Sequence, residues 1–257
     1  VSGPASGSVS LKVPNGWTVM PAEASFQFVR EGEERSLSFR VAPPSGLRPG
    51  SFALEAVARH GGRDYTSGFQ AVSWPGLDSL YLAQPSLQTV RAIDVRVAPG
   101  LSAGYVMGPG DDVPHGLRQL GVDPVLLDPN AIATADLSRF DVILLGIRAY
   151  ATREELKTHN ARLLDYVSRG GVLIVQYNTQ EYDNNYGPYP YTMTARAEEV
   201  SEEDSPVRIL APTHPVFSWP NRITPADFEG WVEQRGSKFW MSWDERYTPL
   251  VETRDTG

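Results

Sequence analysis

The stretch that most limits what this chain can fold into is residues 140–150, Phe-Asp-Val-Ile-Leu-Leu-Gly-Ile-Arg-Ala-Tyr. Val142, Ile143, Leu144 and Leu145 form an unbroken apolar run closed by Gly146, the pattern of a strand buried on both faces of a parallel sheet. Arg148 and Tyr150 then fall just past the carboxyl end of that strand, where open α/β sheets place their ligands. Residues 170–175, Gly-Gly-Val-Leu-Ile-Val, end the same way in Gln176, Tyr177 and Asn178, so the two strand ends are expected to be neighbours and to carry any site.

The surrounding pattern extends this expectation. Residues 102–107 read as a short buried strand, 113–120 as a helix, 125–127 as the next strand and 153–169 as a long amphipathic helix stopped by Gly170 and Gly171. With right-handed crossovers this alternation predicts an α/β doubly wound parallel sheet over residues 100–257. The first 76 residues differ. Short alternating stretches at 9–13, 25–29, 36–41 and 51–58 are separated by Pro/Gly turns, which predicts a small all-β, immunoglobulin-like sandwich. The Pro-Asn-Gly-Trp at 14–17 and Pro-Gly-Ser-Phe at 49–52 resemble sandwich modules attached to bacterial carbohydrate-active enzymes. Residues 77–99 read as a connector, with an alternating segment at 91–97 able to pair at a sheet edge.

Composition excludes several functions. At 257 residues, 41% hydrophobic and 21% charged, the chain is an ordinary folding sequence, and its net charge of −8 is spread along it. Without a Lys/Arg-rich segment, neither nucleic acid nor an anionic membrane is expected as partner. No apolar stretch approaches the roughly 20 residues of a membrane span, and the first ten residues lack the pattern of a signal peptide. The absence of Cys removes disulfides, thiolate ligands and a Cys nucleophile without fixing the redox compartment. His60, His115, His159 and His214 show no metal-ligand spacing, and no G-x-S-x-G elbow is present. Neither a resident metal nor a cofactor is expected.

Candidate site residues come from strand ends and loops. The turn at 108–112, Gly-Pro-Gly-Asp-Asp, fails the dinucleotide spacing because Pro114 stands where the third glycine belongs. Its simpler reading is a tight turn in which Asp111 or Asp112 caps a helix; the alternative is that these carboxylates bind sugar hydroxyls or a cation. Residues 177–191, rich in Tyr, Asn, Gly and Pro, predict a long loop across the sheet edge. Its aromatic rings and amides suit a sugar ring, and they equally suit a lid packed on the domain. Asp227, Trp231, Glu233 and Arg235 combine charge with aromatics farther on. The candidate ligand-binding set is therefore Asp111, Asp112, Arg148, Tyr150, Gln176, Tyr177, Asn178, Asp227 and Trp231. Arg148 is expected either to pair with Asp111 or Asp112 as a structural fork or to contact ligand.

A family resemblance runs through these motifs. Gly104-Tyr105-Val106, Gly110-Asp111-Asp112-Val113, Leu120-Gly121-Val122, Gly146-Ile147-Arg148-Ala149-Tyr150, Tyr166-Val167 with Gly170-Gly171, Gln176-Tyr177-Asn178, His214-Pro215-Val216, Pro220-Asn221-Arg222-Ile223-Thr224, Asp227-Phe228 and Gly230-Trp231 stand in an order similar to that in the C-terminal regions of large bacterial PIG-L/LmbE-type proteins. The resemblance implies a zinc-dependent N-acetylglucosamine deacetylase-like domain upstream, then a sandwich, then a flavodoxin-like domain similar to class I glutamine amidotransferases. Here the deacetylase segment and its zinc motif are absent, and without Cys the amidotransferase nucleophile is missing. What the resemblance implies is a non-catalytic, extracytoplasmic accessory region that binds glycan or docks onto a deacetylase domain or another protein. The alternative is a hydrolase acting on carbohydrate through Asp111, Asp112, Asp227 or Glu233, which would need two carboxylates within about 5–10 Å. The open turn at 254–257 fits a fragment of a longer protein.

Overall fold

The computed structural model describes residues 3–183, 186–193, 199–230, 236 and 238–255. The chain divides into two compact units, Val1–Asp94 and Val95–Gly257.

Alternating side chains build the first unit. Its strands are β1 (Ala5–Lys12), β2 (Thr18–Met20), β3 (Glu23–Phe28), β4 (Arg40–Ala42), β5 (Gly50–His60), β6 (Arg63–Tyr65), β7 (Ser67–Val72), β8 (Leu80–Pro85) and β9 (Leu87–Ala92). β3, β1, β5 and β6 lie side by side, β9 pairs with the first half of β5, and every pairing is antiparallel. Val57 and Ala5 are buried, and Trp17 packs on Phe52 at 5.4 Å between ring centroids. The stretch expected as a connector is largely strand. β8 pairs with β7 and β9 with β5, and Ser86 joins them: its hydroxyl donates to Ala56 O (2.5 Å) and Thr66 O (2.8 Å). Every residue of β7 and β8 is exposed.

In the second unit, β10 (Ala103–Val106) is followed by α1 (Val113–Gln119), β11 (Val125–Leu126), α2 (Pro129–Thr134) and β12 (Val142–Leu145). Then come α3 (Ala149–Thr152), α4 (Glu154–Thr158), α5 (Asn160–Ser168) and β13 (Val172–Val175). The order β11-β10-β12-β13 is parallel throughout. β10 is buried along its length and β12 nearly so, which is why their side chains are apolar on both faces. Val106, Ile143 and Leu145 pack with Ile132, Leu156 and Leu163 in one core, and Tyr105 and Leu144 pack with Val122 in another.

The remaining strands overturn the α/β doubly wound expectation. β14 (Tyr191–Met193) pairs with β16 (Trp240–Trp243), and β15 (Val207–Ile209) with β17 (Val251–Thr253), both antiparallel. Among the described residues four of seventeen strands are parallel and the rest pair antiparallel, so the described structure is mainly antiparallel β with a small parallel sheet. Two physical causes stand out. The helix expected over 153–169 breaks at His159 into α4 and α5, where Thr158, His159 and Asn160 are weak helix formers. Past β13, among the described residues, Pro, Gly, Tyr and Asn stop further βα units, and these residues form 3-10 turns and short ribbons.

Asp255 closes the C-terminal end of this unit. Its carboxylate accepts from the amides of Ser201 (3.0 Å) and Glu202 (3.1 Å) and from the hydroxyls of Ser201 (2.9 Å) and Ser205 (2.8 Å). The Ser201 and Glu202 amides, with the two hydroxyls, hold its pKa down to about 2. A carboxyl group depressed on folding stabilises above its unfolded value near 3.9, and that stabilisation is lost as pH falls through the folded value. Asp255→Ala should therefore melt at a lower temperature than the parent at pH 7, with the gap closing between about pH 4 and pH 2. Thermal melts across that range check this; an equal deficit at pH 2 would contradict it.

Candidate functional site

The carboxyl edge of the parallel sheet is built by close backbone approach. A Cβ on Gly146 would lie 2.0 Å from Asp111 Oδ2 and 2.6 Å from Gly108 N, and one on Gly108 would lie 1.9 Å from Ile147 O. The loops after β10 and β12 thus touch main chain to main chain, which only glycine permits. Into this contact Asp111 turns its carboxylate. Oδ2 accepts from the Tyr105 hydroxyl (2.5 Å) and Gly108 N (3.3 Å), and Oδ1 accepts from Val113 N (3.0 Å) at the start of α1. Tyr105 is fully buried in β10 and also accepts from Gln176 Nε2 at 2.8 Å. Burial first, and the Asp111 carboxylate second, push the Tyr105 phenol far above its ordinary range, so it stays a proton donor.

The next strand end is equally engaged. Arg148 holds a left-handed conformation (φ 49°), rare for a residue with a side chain. Its amide donates to Tyr177 O (2.7 Å) and its Nε to Glu181 Oε1 (3.2 Å), so its ion-pair partner is Glu181 rather than Asp111 or Asp112. Burial pushes the Glu181 carboxyl up, but hydrogen bonds from Thr179, the backbone and Arg148 outweigh it and hold the pKa below the usual range. Asn178, buried, accepts from Tyr150 N (3.4 Å) and donates to Gln176 O (2.8 Å). Asp112 is exposed, and Asp227 is turned onto Thr224, accepting from its amide (2.6 Å) and hydroxyl (3.0 Å) at the turn Pro225–Phe228. Trp231, with Glu233 and Arg235, lies outside the described residues.

Asp111, Arg148, Tyr150, Gln176, Tyr177 and Asn178 thus meet at one edge, bonded to one another through main-chain groups and to Tyr105, Asn160 and Glu181 through side chains. The tie between loops expected of Arg148 belongs to Arg153. Its guanidinium donates to Met107 O (3.4 Å) and Leu127 O (3.0 Å) behind β10 and β11 and pairs with Glu155. Arg153 was legible only as the start of a helix. Tyr105 carried a clearer signal, since a phenol inside an apolar strand requires a buried partner.

The tyrosine-rich loop packs inward. Tyr150 stacks on Tyr186 (4.8 Å), Tyr182 on Tyr191 (5.6 Å), and Tyr191 on Trp240 (4.4 Å, 11° between planes). The Tyr191 hydroxyl donates to Tyr182 O and accepts from Tyr186 N (3.1 Å), and burial pushes its pKa up to about 12. Trp240 continues edge-on to Tyr247 (4.8 Å), and the Arg246 guanidinium lies 3.7 Å above the Tyr189 ring. This aromatic series leads from the parallel sheet to a groove of about 760 Å3 whose lining includes Phe228, Phe239, Trp240, Trp243, Tyr247 and Thr253. The density of aromatics at 239–243 was the only sequence signal for it.

Among the described residues no group of His, Asp and Glu is arranged to hold a metal ion, and no helix is long and apolar enough to cross a membrane. Residues 2–61, from β1 through β5, match the family model described as NPCBM-associated, NEW3 domain of alpha-galactosidase. No PIG-L or amidotransferase family model matches. Comparison with curated proteins and with solved structures finds no match.

Proposed function

We propose that this chain is a non-catalytic, carbohydrate-related accessory region that binds glycan. The observation that carries the proposal is the match of residues 2–61 to a domain described by its association with alpha-galactosidase. The aromatic groove of the second unit supports it, because stacked rings beside hydroxyl and charged side chains suit pyranose faces and edges. In the finer form of the proposal, the chain accompanies a PIG-L/LmbE-type deacetylase domain, works outside the cytoplasm and presents glycan to that domain or docks it to a partner protein. The motif order from Gly104 to Trp231 favours this form.

Three of the carboxylates considered for hydrolysis favour the non-catalytic reading. Asp111 is committed to Tyr105, Gly108 and Val113, Asp227 to Thr224, and Asp112 stands exposed on the rim. The two bonded carboxylates are each occupied by groups of their own stretch of chain, whereas glycoside chemistry needs two carboxylates turned to one bond. In this reading the edge of the parallel sheet positions loops.

Affinity electrophoresis of the whole chain in gels containing galactomannan, xylan or β-glucan should show retardation by at least one polymer. Reducing-sugar assays on the same polymers should show no release. Migration unchanged by all of them, or steady release of reducing ends, would contradict the proposal. Tyr105→Phe should cost about 1–2 kcal/mol of stability by stripping Asp111 and Gln176 of their buried partner, while retardation stays as in the parent. Denaturant unfolding beside the gel assay checks this; a stable variant that no longer binds would move the site to the sheet edge.

A further inference from the structure

The antiparallel pair β14–β16 contains an irregularity with a specific consequence for two tryptophans. Tyr191 pairs with Trp243 and Thr192 with Ser242, but Met193 pairs with Trp240, so Met241 is an extra residue opposite the Thr192–Met193 step. In a regular strand Trp240 and Trp243, three apart, would point to opposite faces. One inserted residue restores the phase, and both line the same groove. Trp240 is held from behind by its stack on Tyr191, while Trp243 is 44% exposed. Exposing a tryptophan at a bulge, beside a second one anchored by packing, has no evident benefit for the core.

A second observation lies in the lining of the same groove. The Thr253 hydroxyl in β17 is buried and has no hydrogen-bond partner, the one such side-chain atom among the described residues. A buried polar group without a partner is destabilising, and rotation of the Thr253 side chain about χ1 to turn its hydroxyl into the groove would offer that open bond to an occupant bearing hydroxyls. Glu252, paired with Arg208, and Lys238 also line the groove, and no cluster of like charges in the lining marks it for an ion. The volume of about 760 Å3 lies within the roughly 300–1,000 Å3 of small-molecule sites and suits a short oligomer, not a folded partner.

We infer that this groove is a saccharide subsite for a short neutral oligosaccharide, with Trp243 and Trp240 stacking on pyranose rings and the Thr253 hydroxyl bonding a sugar hydroxyl. The inference rests on the glycan-binding reading above and assigns it a place. The test titrates the whole chain with short oligosaccharides of glucose, galactose, mannose and xylose, reading tryptophan fluorescence and heat. Trp243→Ala should weaken binding at least tenfold with a melting temperature near the parent's. Thr253→Val, which removes the hydroxyl and keeps the shape, should weaken binding severalfold while leaving stability equal or higher. Binding that neither variant alters overturns the groove assignment and leaves the glycan-binding reading standing. Binding of none of these sugars by the parent overturns the groove assignment, as does saturable capture of a proline-rich peptide in their place, and the glycan-binding reading then stands or falls on the polysaccharide gels.

Discussion

Tyr191 is the residue on which the second unit turns. It begins β14, stacks on Tyr182 and Trp240, and bonds Tyr182 O and Tyr186 N through its hydroxyl. Burying a phenol is tolerable only when its hydroxyl is bonded, and here two main-chain groups do that. One side chain thereby fixes how the antiparallel ribbons meet the core under the parallel sheet. Trp240 gains its rigid backing from the same ring, so the groove wall depends on a contact formed well away from it in sequence.

The two polar regions of this unit have opposite character. At the carboxyl edge of the parallel sheet, Asp111, Tyr105, Gln176 and Asn178 form one chain of hydrogen bonds, Arg153 bonds Met107 O and Leu127 O, and Gly108 and Gly146 leave no space between the loops. Such a network orders the loops. In the groove the balance is reversed: large rings are part-exposed and a buried hydroxyl is unanswered. A region that stores unsatisfied bonding capacity beside apolar surface is the better place to look for recognition.

How much of this was legible in the sequence follows the range of the interactions. The strands at 9–13, 25–29 and 51–58 could be read because alternation records one buried face, and the run 142–145 because both faces are buried. The fold class could not. The apolar runs that suggested a doubly wound sheet are only two to four residues long in the parallel ladder, and the antiparallel pairs after β13 join segments about fifty residues apart. At the site, the gathering of Asp111, Arg148, Gln176 and Asn178 followed from strand-end logic, but their partners did not. A left-handed backbone at Arg148 turned its side chain to Glu181, and Arg153 took the tie to neighbouring loops. The groove was least legible, since it depends on one extra residue in a strand pair whose register no local pattern specifies.

Saccharide binding in the groove depends most directly on where Trp240 and Trp243 point and what they meet. A crystal structure of the chain grown with a short oligosaccharide that it binds would settle this. The account predicts both indoles on one side of β16, a pyranose ring parallel to Trp243 within van der Waals contact, and a sugar hydroxyl within hydrogen-bond distance of Thr253 Oγ1. Tryptophans on opposite faces of the strand, or sugar bound only at the Asp111 edge, would contradict it.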